Sequence, residues 1–177
     1  MLASYQLGDT YFHLGLVREA LDSYARVLEI ATKFGRYSAL AWTYLYRGLV
    51  YCSIDDFESA RQEAVKAREY ALKTESNYLR TVTNGFLAHC EIRLNRIIEG
   101  EKLLSDALEI VKSIPVDIRS PLRPLTILAQ AELFAAKKEW SASNEKFRES
   151  IELIHGAIYG QLYDAIIRTR YGEALLK

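Results

Sequence analysis

Residues 7–24 run Leu7-Gly8-Asp9-Thr10-Tyr11-Phe12-His13-Leu14-Gly15-Leu16-Val17-Arg18-Glu19-Ala20-Leu21-Asp22-Ser23-Tyr24. Gly8 and Ala20 are its small residues, Leu7, Tyr11 and Tyr24 are large, and Gly15 stands between the two groups. Forty residues on, Gly48 and Ala60 hold the small positions; 40 further, Ala88 and Gly100 do. Val27, Ala67 and Ala107 keep the same interval. A fourth copy, with Ala131, Trp140, Ser143 and Phe147, begins 43 residues after Ala88, and a fifth starts at Tyr171-Gly172, 41 beyond Ala131. Self-similarity at such a period marks stacked supersecondary units.

The units are helical. Val17, Ala20, Leu21, Tyr24, Val27, Leu28 and Ala31 recur at helical spacing, as do Leu103, Leu104, Ala107, Leu108 and Val111. Strand-like alternation is missing. Prolines 115, 121 and 124 all fall in one ten-residue stretch. The expectation is an all-α chain of antiparallel helix hairpins, turning near Gly15 and near Ile54-Asp55. Small residues belong where paired helices approach most closely, with Leu7, Tyr11, Tyr24, Tyr51 and Phe57 filling the gaps beside them. Asp55 is expected to cap the second helix of unit two, with Glu58 three places on. Ser120 and Pro121 read as the cap and first position of a later helix. Gly156 and Gly160 read as a break before the last one.

Leu7-Gly8-x-x-Tyr11 with Ala20-x-x-x-Tyr24 resembles the tetratricopeptide repeat (TPR) signature, and Arg47-Gly48-x-x-Tyr51 with Ala60 repeats it. The period of about 40 exceeds the usual ~34. It is similar to the long-helix variant of MalT-type bacterial regulators and kinesin light chain; HEAT-like hairpins are the structural alternative. The resemblance implies a right-handed superhelical array of about nine helices, four and a half repeats. These are expected as one domain at about 1–40, 41–80, 81–119, 120–160 and a partial 161–177.

Composition narrows the function. Of 177 residues half are hydrophobic, and 23 Lys and Arg balance 23 Asp and Glu. That balance argues against direct nucleic-acid binding and against a polybasic membrane anchor. No run spans a bilayer and no leader opens the chain. Two cysteines, Cys52 and Cys90, make no disulfide scaffold, and a reducing cytoplasm is the expected location. Both read as buried fillers.

No catalytic constellation emerges. His13, His89 and His155 form no metal motif, and the nine glycines form no phosphate cradle. Glu99/Glu101 and Glu149/Glu152 read as solvated faces. The expectation is a non-enzymatic chain without metal or cofactor.

In the family the first helices line a concave wall. Placed here, the pattern implies Tyr5, Asp9, Phe12 and His13, then Trp42, Leu45, Tyr46 and Leu49, then Gly85, Phe86, His89 and Arg93. Leu128, Glu132, Thr169 and Glu173 complete the wall. The positions of the family's two-carboxylate clamp hold Tyr5, Asp9, Leu49, Val82 and Phe86 instead, so the clamp for chaperone tails does not carry over. An aromatic wall suits a peptide or helix of a partner protein. A small-molecule effector-sensing domain and a passive scaffold between other domains are the alternatives. The chain is expected to be a fragment, with an uncapped last helix exposing Ile166, Ile167, Tyr171 and Leu175 to a neighbouring domain or a second copy.

Overall fold

A computed structural model describes residues 2–113, 123–154 and 160–176. Among these residues the protein is an all-α helical repeat array, with nine helices and no strand. They are α1 (Leu2–His13), α2 (Val17–Lys33), α3 (Tyr37–Ser53), α4 (Phe57–Leu72), α5 (Asn77–Arg93), α6 (Ile97–Lys112), α7 (Arg123–Ala136), α8 (Trp140–Ile154) and α9 (Gly160–Leu175). The chain divides into two compact units, Met1–Leu79 and Arg80–Lys177. Ser120 and Pro121 lie outside the described residues, as do His155 and Gly156.

One turn design joins the helices of four successive pairs. Gly15, Asp55, Asn95 and Lys138 all have left-handed backbone, with φ of 73°, 61°, 61° and 62°. After each, the next N–H reaches back to a carbonyl five residues earlier: Leu16 to Tyr11, Asp56 to Tyr51, Arg96 to Glu91 and Glu139 to Phe134, at 2.8–3.1 Å. The left-handed residue itself bonds the carbonyl three back, as Asn95 does to Ile92 at 3.0 Å. This double closure satisfies carbonyls that a helix end would leave bare. Gly35 repeats the geometry between α2 and α3.

The turn corrects the expected cap of α4. Asp55 is consumed by the left-handed position, and Asp56 is the N-cap, its Oδ1 accepting from Ser59 N at 3.1 Å. The side-chain hydrogen bond with Ser59, and after it the bond from Ser59 N, hold the Asp56 pKa below its ordinary value. Ser76 plays the same role for α5, its Oγ accepting from Leu79 N at 3.2 Å.

Second helices bury equivalent positions. In α2 these are Ala20, Ser23, Tyr24, Val27 and Ala31; in α4, 40 residues on, Ala60, Glu63, Ala64, Ala67 and Ala71. Gly100, Leu104 and Ala107 continue the register in α6, and Ser143, Phe147 and Ser150 in α8. The close contacts are tight. A Cβ on Gly8 would meet the Tyr24 ring at 2.6 Å, and one on Gly100 would meet Ile92 Cγ1 at 2.6 Å and the Ala88 carbonyl at 3.2 Å. In α8 the small residues are serines, and their hydroxyls are satisfied across the helix pair: Ser143 donates to Ala131 O and Ser150 to Pro124 O, both at 2.9 Å.

In unit one, α1 packs on α2, α2 on α3 and α3 on α4, with Ala41, Ala71 and Leu79 forming one buried cluster. In unit two, Ala88 and Ile92 of α5 share a core with Leu104, Ala129 and Leu133. There α7 packs on α6, α8 and α9. Tyr24 and Phe57 are buried as expected, as are Cys52 and Cys90. Leu7 is not a gap filler: it is 46% exposed. Nor does α9 present the expected apolar edge, because Ile166 and Ile167 are buried and Tyr171 stacks on Phe147 at 5.3 Å; Leu175 is exposed. No described helix is long and apolar enough to cross a membrane.

Candidate functional site

Spacing places Tyr5, Asp9 and Phe12 on one face of α1, and Trp42, Tyr46 and Leu49 on one face of α3, because positions i, i+4 and i+7 align along a helix. Rings join the two helices. Tyr5 lies 5.9 Å from Tyr46 in an edge arrangement, Tyr46 stacks on Tyr24 at 5.8 Å, and Trp42 stacks on Tyr46 at 6.0 Å. The Tyr5 hydroxyl donates to Ala39 O at 2.7 Å and meets Thr43 Oγ1. Tyr24 donates to Asp9 Oδ1 at 2.5 Å.

The rings therefore fill much of the wall themselves. Tyr46 and Leu49 are buried, and in this conformation they form core rather than an open lining. Tyr5, Asp9, Phe12 and Trp42 stay partly exposed, and His13 is exposed beside Phe12. Partial burial pushes the Asp9 pKa up; the Tyr24 hydrogen bond and the nearby His13 pull it back in part. Asp9, held by Tyr24, and the aromatic side chains of Tyr5, Phe12 and Trp42 are the expected lining residues of unit one that remain partly open.

A polar pair that spacing did not single out joins α3 to α4. Arg47 Nη2 is 3.2 Å from Glu63 Oε1, with the Glu63 side chain 9% exposed and that of Arg47 20%. Burial raises the Glu63 pKa, against the opposing pull of Arg47 and Lys66.

Unit two gathers the polar residues of the expected wall. His89 and Arg93 come from α5, Glu132 from α7 and Glu173 from α9. His89 Nδ1 lies 2.7 Å from Glu132 Oε2, and Arg93 Nη1 lies 3.1 Å from Glu173 Oε2 and 3.8 Å from Glu132 Oε1. Arg170, absent from the expected set, closes the chain with a 2.7 Å contact to Glu173 Oε1. Phe86, His89 and Glu132 are buried, while Arg93 and Glu173 of the expected lining stay open. Gly85 and Leu128 are buried as well; a Cβ on Gly85 would sit 2.9 Å from Thr126 Oγ1. Thr169 is exposed.

The cluster borders a pocket of about 260 Å³. Arg93, Glu132, Arg170 and Glu173 supply its charges; Ile92, Ala135 and Phe147 are among its apolar walls. Among the described residues no group of three or more His, Cys, Asp or Glu is placed to hold a metal ion.

Residues 1–73 match the family model described as tetratricopeptide repeat. The match supports a TPR-type repeat over fewer than half of the 177 residues and includes both copies of the signature. No curated protein matches the chain significantly.

Proposed function

We propose that the chain is a non-enzymatic protein-interaction module, and that unit one holds a peptide or helix of a partner protein against α1 and α3. Repeats of the tetratricopeptide type generally serve as protein-interaction modules, and stacked helical repeats bind along the faces of their first helices. The observation that carries the reading is that Asp9, Phe12 and Trp42 are each partly exposed, with Asp9 held by Tyr24 and Trp42 stacked on Tyr46. Aromatic anchors next to one oriented carboxylate suit a segment with an apolar side chain followed by a basic or amide donor. Because the backing residues are already ordered, little side-chain entropy is lost on binding.

The test is selection of peptides on the purified chain from a display library, followed by titration against Phe12→Ala and Trp42→Ala. Affinity for selected peptides should fall by ~10-fold or more for either anchor, with helical circular dichroism retained. Unchanged affinity in both variants would remove these side chains from consideration.

A further inference from the structure

We propose that one end of unit one, where α2 stops, α3 starts and α4 stops, is a docking surface for an acidic segment of a partner protein. Carboxylates of that segment pair with Lys33, Arg36 and Lys73, and an apolar side chain beside them lies on Phe34, Tyr37 and Leu72. Asp9, Phe12 and Trp42 take no part, so this surface and the one proposed above stand or fall separately.

The first observation is apolar surface that the fold leaves open. Phe34 is 65% exposed, Leu72 51% and Tyr37 45%. Phe34 is the C-cap of α2, Tyr37 opens α3 and Leu72 closes α4. Lys73 joins the two helix ends: its Nζ lies 5.6 Å from the Tyr37 ring centroid and 4.8 Å from that of Tyr70, and the two rings stack at 6.2 Å. Single exposed apolar side chains are ordinary, but several gathered in one place within a rim of charge mark a contact surface.

The second observation is uncompensated positive charge. Lys33, Arg36 and Lys73 are exposed, and among the described residues none of them has a carboxylate partner. Segments 33–37 and 70–75 carry these three cations against one acid, Glu75, although the chain as a whole is neutral. Nor do helix-end carbonyls occupy the ammonium groups. Backbone N–H groups of Phe34, Gly35 and Arg36 close the end of α2, and those of Lys73 and Thr74 close α4. The Lys33 and Lys73 ammonium groups sit over rings instead. A cation resting on a ring keeps its charge and its donors for a carboxylate.

The third observation is order, which selects the occupant. The Tyr37 and Tyr70 rings and the Lys73 ammonium hold set spacings on helix ends, and tyrosine surface of this kind binds at little entropic cost. A second copy docking by the same patch would set the three cations against themselves. A fluid anionic bilayer gains nothing from fixed spacing, whereas a peptide presents carboxylates and a side chain at set intervals. Charge complementarity therefore favours an acidic protein segment carrying a large aliphatic or aromatic residue.

The experiment is selection of random displayed peptides on the full chain, followed by titration of the recovered peptides by fluorescence anisotropy. The expected result is recovery of peptides with carboxylates beside an apolar residue, whose affinity falls as salt rises. Phe34→Ser, and Lys33→Glu with Arg36→Glu together, should each weaken them at least ~10-fold, while Phe12→Ala and Trp42→Ala leave them bound. The altered side chains of this surface are exposed, helical circular dichroism checks the fold, and Phe34→Ser decides the matter if the charge variant fails to fold. Recovery of no acidic peptide overturns the proposal. So does undiminished affinity in either folded variant, or a loss confined to Phe12→Ala and Trp42→Ala. Phosphatidylserine vesicles bound in preference to every peptide would replace the protein segment with a membrane and overturn it as well.

Discussion

Tyr24 lies so close against Gly8 that a Cβ at position 8 would be 2.6 Å from its Cε1 atom. The ring cannot retreat: Tyr24 is fully buried, stacked on Tyr46 and bonded to Asp9. The small residue is thus a condition of the α1–α2 contact. Gly8→Ala gains about 1 kcal/mol of helix propensity but forces the ring out of place at a cost of about 1–3 kcal/mol. Urea denaturation should show a net loss of about 1 kcal/mol. Gly172→Ala, at a helical site with nothing within 4 Å, should show a gain of up to about 1 kcal/mol. Equal behaviour of the two variants contradicts the contact.

Asp55 and Asp56 are neighbours with opposite duties, one in the left-handed turn and one accepting at the start of α4. Asp56→Ala should cost about 1 kcal/mol. Asp55→Gly should be neutral or stabilising by a few tenths, since glycine adopts that backbone freely. Thermal unfolding of the two variants distinguishes them, and the reverse order would place the cap one residue earlier.

Lys138 occupies the fourth left-handed turn without the local hydrogen bonding that Asn or Asp brings to this conformation. Lys138→Gly should therefore stabilise the fold by about 0.5–1 kcal/mol. Gly15→Ala, the converse change at φ 73°, should destabilise it by roughly 1–2 kcal/mol. Denaturant midpoints at constant m-value check both.

Burial raises the Glu63 pKa in the folded chain, so in the pH range between its ordinary and raised values the folded state binds more protons than the unfolded one. Its contribution to stability is complete below the ordinary value and lost as pH climbs through the raised one. Glu63→Gln should flatten that fall. At neutral pH the variant should lie within about 1 kcal/mol of the parent, because Arg47 is partly solvated and the amide oxygen can still accept from it. Urea midpoints across the acidic range read the slope, and an unaltered slope rejects the assignment.

The sequence carries the array plainly because its message is local. Size at Gly8, Ala20, Gly48, Ala60, Ala88 and Gly100 reports where backbones meet, and the period reports the unit. The cap of α4 is displaced by one residue because two adjacent aspartates are equally good caps on paper. Only the left-handed closure at Asp55 decides which one faces the helix. Exposure was not legible in the expected lining. Tyr46, Leu49, Phe86, His89 and Glu132 are all buried, Tyr46 stacked on Tyr24 and His89 paired with Glu132 across two helices. Arg170 escaped notice because it stands among residues read as an apolar edge. Its signal was Glu173, three places on, where a helix brings opposite charges together.

The most direct test of the repeated hairpin is the backbone conformation at its turns, read by NMR from Cα shifts and HN–Hα couplings. The account predicts helical breaks at Gly15, Asp55, Asn95 and Lys138, with positive φ at each of the last three. Uninterrupted helix through any of them, or breaks that do not keep the intervals of 40 and 43 residues, would contradict it.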